Sequence, residues 1–90
     1  MALLPLESAI VLTAEQRACL ADLAIAPLRL VEVWDVRREA RTFHYAHDKS
    51  RVGHAGGTIL DLGALGFCET GPEHDDFVIT AAGRKRLELR

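Results

Sequence analysis

The sequence predicts an α+β domain of three helices, with a carboxyl-terminal β-hairpin and an extra strand or hairpin around 28–46. Two segments carry apolar residues at helical spacing, and a third is rich in β-branched and aromatic residues. The dipeptide Gly71-Pro72 then separates two short apolar stretches, as in a hairpin. The 90 residues suffice for one domain, and 49% hydrophobic with 27% charged residues is ordinary globular usage.

The first helix is predicted over Ala14 to Ile25. Thr13 and Gln16 lie three residues apart, which is the capping-box signature of a helix start. Pro27 lies just past the predicted end, where its missing amide does no harm. The apolar face of this helix comprises Cys19, Leu20, Leu23 and Ala24.

Residues 28–36 are predicted to form a strand, because Val and Trp residues cluster there. The segment 38–48 suits two structures. Its Thr, Phe and Tyr residues favour a strand over 41–46, which is our prediction. The alternative is a helix whose face would comprise Ala40, Phe43 and His47.

The carboxyl-terminal half carries sharper signals. Ile59, Leu62 and Leu65 form an apolar stripe, and Gly66 stands where a left-handed residue ends a helix. Two apolar-polar stretches around the turn at Gly71-Pro72 then predict a hairpin. Thr80 is the predicted cap of a final helix over 81–89.

Two motifs in this half occur together. Thr58-Ile59-x-x-Leu62-x-x-Leu65-Gly66-Phe67 is followed, ten residues past Gly66, by Asp76-Phe77-Val78-Ile79-Thr80-x-x-Gly83-Arg84-x-x-Leu87. The pair resembles the winged helix-turn-helix domain of small bacterial regulators, similar to the MarR and PadR families. In those families a recognition helix ends in Leu-Gly-Leu or Leu-Gly-Phe, a two-stranded wing follows, and Leu-Thr-x-x-Gly-Arg-x-x-Leu starts the last helix. The resemblance covers roughly residues 50–89.

The resemblance implies a bacterial or phage transcriptional regulator that binds double-stranded DNA as a homodimer. A cytoplasmic location is expected because two cysteines are too few for a disulfide scaffold. The helix ending at Leu65 would enter the major groove with its amino-terminal residues at base edges. Basic residues nearby would contact phosphates, and Asp61 would accept from a cytosine amino group. The candidate DNA-binding residues are Arg37, Arg41, Lys49, Arg51, His54, Thr58, Asp61 and Lys85.

Charge patterning supports an alternative, in which the domain binds a protein instead of DNA. Residues 52–83 contain no Lys or Arg, although regulators of this class use basic residues in the wing. Phosphate neutralisation supplies most non-specific DNA affinity, so acidic groups there subtract from it. The alternative is a phage or mobile-element interaction module that uses an acidic wing, defined here as residues 69–76.

The amino-terminal arm is a candidate interface between two copies of the chain. Residues 1–12 are predicted to be that arm and 13–90 a single domain. The arm is apolar, so it is a candidate for a dimer seam or for a strand that packs on the domain. Deleting 1–11 should lower the mass in light scattering if the arm joins two copies. Its apolar members are Leu3, Leu4, Leu6, Ile10, Val11 and Leu12.

Catalytic, metal and membrane functions lack support in the sequence. It contains no Gly-rich phosphate loop, nucleophile elbow or paired Cys-x-x-Cys, so we expect no enzyme and no cofactor. His44 and His47 are three apart and face opposite sides of a strand, so we expect no metal. No apolar run is long enough for a membrane span. Trp34 and Tyr45 are expected in the core, whereas Cys68 is a candidate for exposure on the wing.

Overall fold

The computed structural model describes residues 11–48, 53–73 and 75–88, and within them confirms the predicted α+β class. Three helices and a four-stranded antiparallel sheet are present in these ranges. The sheet order is β2-β1-β4-β3. The elements are α1 (Ala14–Ile25), β1 (Leu28–Asp35), β2 (Ala40–Ala46), α2 (Gly56–Ala64), β3 (Cys68–Thr70), β4 (Asp76–Ile79) and α3 (Ala81–Glu88).

The predicted capping box starts α1. The Thr13 hydroxyl accepts from the Gln16 amide at 3.1 Å, and the Gln16 side-chain oxygen accepts from the Thr13 amide at 3.0 Å. The preceding Leu12 is buried in the core, so the last residue assigned to the arm packs with the domain. Residues 1–10 of the predicted arm lie outside the described residues.

The strand prediction for 41–46 is confirmed by β2, which pairs with β1 along its whole length. Their register runs from Arg29 opposite Ala46 to Asp35 opposite Ala40. This hairpin occupies the place where a helix-turn-helix has its second helix. Between α1 and α2, the described residues 26–48 and 53–55 contain no helix.

The predicted glycine stop of α2 is confirmed. Gly66 adopts φ +82°, its amide donates to the Gly63 carbonyl at 3.0 Å, and the Phe67 amide donates to the Leu62 carbonyl at 2.9 Å. These two bonds form a Schellman motif, in which the left-handed residue satisfies the last carbonyls of the helix. The chain therefore passes directly from α2 into β3.

The core brings together the predicted residues of the carboxyl-terminal half. Leu62 is buried, and Leu65, Phe77 and Leu87 pack against the buried cluster. The Tyr45 ring meets the Phe77 ring edge-on at 5.4 Å. The buried cluster consists of Leu12, Cys19, Leu20, Leu23, Leu28, Ile59, Leu62, Phe67 and Cys68.

Two burial predictions are wrong. Trp34 is 58% exposed, because β1 leaves the rest of the sheet before reaching it. Cys68 is buried, because the first residue of β3 faces α2, and its thiol donates to the Ile59 carbonyl at 3.5 Å. Over the described residues, no helix has the length and apolarity that crossing a membrane requires.

Candidate nucleic-acid interface

The β1–β2 hairpin extends beyond the rest of the sheet. Strand β4 pairs with β1 only at Leu28 and Arg29, and the Leu30 amide then donates to the Asp75 carbonyl at 3.3 Å. Beyond this point, residues 31–35 have β2 as their only strand partner in the described chain. At about 3.3 Å per residue, the two-stranded ribbon of residues 31–44 is about 17 Å long.

Asp35 organises the turn at the end of this ribbon. One carboxylate oxygen accepts from the amides of Arg37 at 3.0 Å and Arg38 at 3.2 Å. Glu39 then takes the left-handed conformation with φ 49° and leads the chain into β2. Such a side-chain turn suits Asp, which bonds to backbone amides two residues on. The side chains of both arginines are thereby exposed at the tip.

The arginines of the hairpin are available to an anionic ligand. The Arg38 Nε lies 3.7 Å from Asp35, and the Arg41 Nε lies 3.0 Å from Glu32. Both pairs are solvent-exposed, and such pairs contribute about 0–1 kcal/mol, so a phosphate can displace them. Within 4.0 Å of Arg37, the described residues place no ion-pair partner.

Exposed aromatic residues lie beside these arginines. Trp34 is directly opposite Arg41 across the ribbon, and Phe43 is directly opposite Glu32. Residues opposite each other, and those two apart on one strand, share a face of the sheet. Trp34, Arg41 and Phe43 therefore form one surface, with Trp34 58% and Phe43 54% exposed. No local pattern in the sequence predicted this exposure.

Helix α2 does not present the predicted set of DNA contacts. Thr58, a candidate DNA-binding residue, has its side chain buried in the domain, so it is not on the outer face of this helix. Thr58 precedes the core residue Leu62 by four positions, a spacing that already indicated the inner face. Asp61 is exposed as predicted, and Leu60 beside it is 67% exposed. The exposed residues of α2 are Gly57, Leu60, Asp61 and Ala64, none of them a cation.

His54 forms an internal link. Its backbone exchanges two hydrogen bonds with Tyr45, of 2.8 and 2.7 Å. Its Nε2 lies 2.6 Å from an Asp22 carboxylate oxygen, and the His47 Nε2 lies 2.8 Å from the Asp22 carbonyl. The two histidines thus attach residues 47 and 54 to the last turn of α1. These contacts leave His54 only partly exposed and engaged within the domain.

The acidic wing lies beside the base of the ribbon. Glu69, Glu73 and Asp75 are exposed, whereas Asp76 is buried and lies 3.9 Å from the Arg29 Nε. An open groove of about 490 Å³ lies between the wing turn and Tyr45, with Phe77 also in its lining. This part of the surface favours a basic or apolar ligand over a phosphate.

The remaining predicted residues are not joined to the hairpin arginines. Lys85 lies on α3, which starts at the end of β4 farthest from the wing turn. Along the strand register, Asp35 at the hairpin tip is nine residue steps, or about 30 Å, from the level of Ile79 at the end of β4. Lys49 and Arg51 lie outside the described residues. Of the predicted site, the structure brings together Arg37 and Arg41.

Both cysteines are buried and free. Burial, reinforced by Cys68 and Asp22, raises the pKa of Cys19 to about 12. Burial and the charge of Glu69 raise the pKa of Cys68 to about 11. A thiol is a nucleophile only as thiolate, so neither residue is a reactive centre at neutral pH. In the described ranges, no group of three or more His, Cys, Asp or Glu residues is placed to hold a metal ion.

Comparison with known proteins found no matching family model, no matching curated protein and no matching solved structure. The resemblance to winged-helix regulators therefore depends on the residues themselves.

Proposed function

We propose that the protein is a small winged-helix regulator that binds double-stranded DNA, with the arginines of the β1–β2 hairpin supplying its main phosphate contacts. One observation carries this proposal: Arg37, Arg38 and Arg41 project at the end of a free ribbon, whereas the exposed face of α2 has no cation. Arginine suits this role because its planar guanidinium matches phosphate oxygens.

The winged-helix part of the proposal is supported by the order of the carboxyl-terminal elements. Helix α2 ends in Leu65-Gly66-Phe67, the β3–β4 hairpin follows, and α3 begins after Thr80. The departure is the β1–β2 hairpin, which stands where those families have a second helix. We infer that this hairpin takes over part of the contact surface.

The electrostatics set a limit on the affinity. Three arginines neutralise at most about three phosphates, because Glu32, Asp35 and Glu39 of the same ribbon oppose them. The slope of log affinity against log salt is therefore no steeper than about −3. The acidic wing opposes a flat approach of the sheet to DNA, because Glu69, Glu73 and Asp75 are exposed there. The proposed complex is therefore weak at physiological salt unless two copies bind together.

The test is a fluorescence anisotropy titration of a mixed-sequence DNA duplex at two salt concentrations. We expect the double variant Arg37→Glu, Arg38→Glu to bind about tenfold more weakly than the wild type, because two phosphate contacts become repulsive. The matched control is Arg84→Glu, Lys85→Glu, which makes the same charge change on α3. Equal losses in both variants, or a larger loss in the control, would contradict the hairpin interface.

A second candidate function is a protein interaction module, and the exposed apolar side chains of the hairpin favour it. Val33, Trp34, Val36 and Phe43 are between 40% and 76% exposed, and such patches commonly mark protein interfaces. The acidic wing adds a surface complementary to a basic partner. The same titration separates the two functions, since a module of this kind shows no salt-dependent DNA binding.

A further inference from the structure

Strand β2 lies at the edge of the sheet, and only part of its outer side is paired. Tyr45 uses its outward amide and carbonyl for His54. Backbone groups of residues two apart point the same way, so those of Arg41 and Phe43 also point outward. In the described chain, no strand or bridge pairs with this stretch of the outer edge.

This open edge belongs to the least supported part of the sheet. A two-stranded ribbon is only marginally stable in water, and a third strand is the usual remedy. An open edge without Lys or Pro invites another strand, and residues 40–44 contain neither. Trp34 and Phe43, which lie on one face of the ribbon next to this edge, are more than half exposed.

We propose that β2 pairs antiparallel with β2 of a second copy, about a two-fold axis through Thr42, to form a continuous sheet. In this register Arg41 lies opposite the partner's Phe43, and Phe43 lies opposite the partner's Arg41. Each of these two pairs exchanges both backbone hydrogen bonds, so the outward groups of both residues are satisfied.

The neighbouring registers are excluded by contacts already described. An axis through Phe43 would place Arg41 opposite the partner's Tyr45, whose outward groups are bonded to His54. An axis through Arg41 would place two guanidinium groups directly opposite each other, which destabilises a sheet. The axis through Thr42 avoids both conflicts, provided that the pairing ends at His44 opposite the partner's Ala40, because the outward groups of Tyr45 are bonded to His54.

The side chains on this edge are complementary to those on the same edge of a second copy. Opposite residues share a face, so each Arg41 guanidinium lies beside the partner's Phe43 ring, a favourable cation–π arrangement. Glu32 lies on the same face, opposite Phe43, and its carboxylate is 3.0 Å from Arg41 of its own chain. A surface that matches its own copy under a two-fold rotation is the hallmark of an isologous dimer. This matching is why we assign the edge to a second copy.

The test is the mass of the full chain, measured by sedimentation over a range of protein concentrations. No DNA is present, so the result does not depend on whether the protein binds DNA. We expect a monomer–dimer equilibrium. Phe43→Arg places like charges opposite each other twice per dimer and should weaken association about tenfold. Adding Arg41→Glu to that variant restores opposite charges across the seam and should restore the dimer.

The matched control is Ile25→Arg, at a residue of α1 that is 76% exposed, and it should leave the mass unchanged. Circular dichroism verifies that each variant is folded. A wild-type monomer at every concentration, a dimer unaffected by Phe43→Arg, or a double variant that stays monomeric would each overturn the proposed pairing.

Discussion

Gly83 determines how closely the last helix packs on the domain. A Cβ atom at this position would lie 2.2 Å from the Phe67 carbonyl oxygen and 2.7 Å from the Ile79 side chain. Helix α3 therefore rests directly on the backbone that follows α2. The Thr80 hydroxyl completes the joint, because it donates to the Gly66 carbonyl at 2.6 Å and accepts from the Gly83 amide at 3.0 Å.

At the residue scale we predict that Gly83→Ala lowers the free energy of unfolding by about 1–3 kcal/mol, because the added methyl group overpacks the joint. The control is Gly57→Ala on the exposed side of α2, where an added Cβ meets nothing within 4 Å. The control should raise stability by about 0.5–1 kcal/mol. Urea denaturation measures both, and an equal effect of the two substitutions would refute the packing argument.

The β1–β2 hairpin is an element with two different halves. Near its base it belongs to the domain, since Leu28 is buried and opposes Phe77 of β4. Toward its tip it is a free ribbon with exposed side chains. This division follows from the short pairing between β1 and β4, and it makes the outer half suitable for binding a ligand or a second copy.

At the element scale we predict that Trp34→Ala changes the free energy of unfolding by no more than about 0.5 kcal/mol, because the side chain is largely exposed. Leu28→Ala, on the same strand, should lower it by about 2–5 kcal/mol, because it empties a core position. The two values come from urea titrations at low protein concentration. Comparable losses would show that the ribbon packs on the domain after all.

The molecule as a whole keeps its charges at the surface and its thiols in the core. The hairpin tip exposes Arg37 and Arg38 beside Glu39, the exposed charges described on the wing are acidic, and both cysteines are buried. The raised pKa values of Cys19 and Cys68 express this burial, since a thiolate is costly where water is excluded. Protonation of these thiols is therefore linked to folding.

At the scale of the whole molecule we predict a loss of stability in alkali. Unfolded thiols release protons above their ordinary pKa of 9.0, whereas the folded thiols keep theirs to about 11 and about 12. The unfolded state binds fewer protons across this window, so the free energy of unfolding falls as the pH rises. Chemical denaturation at several pH values tests this, and the variant Cys19→Ala, Cys68→Ala should lose less stability over the same window. An equal slope in variant and wild type would contradict the linkage.

The sequence by itself determined the elements whose signals lie within a few residues of each other. The capping box at Thr13, the glycine stop at Gly66 and the cap at Thr80 are local hydrogen-bonding patterns, so they were readable without a fold. Only the tertiary structure decided which surfaces these elements expose. The burial of Thr58 and the exposure of Trp34 depend on what other segments lie over them, and the position of Arg41 opposite Trp34 depends on strand register. Such long-range relations are properties of packing, which local residue patterns do not encode.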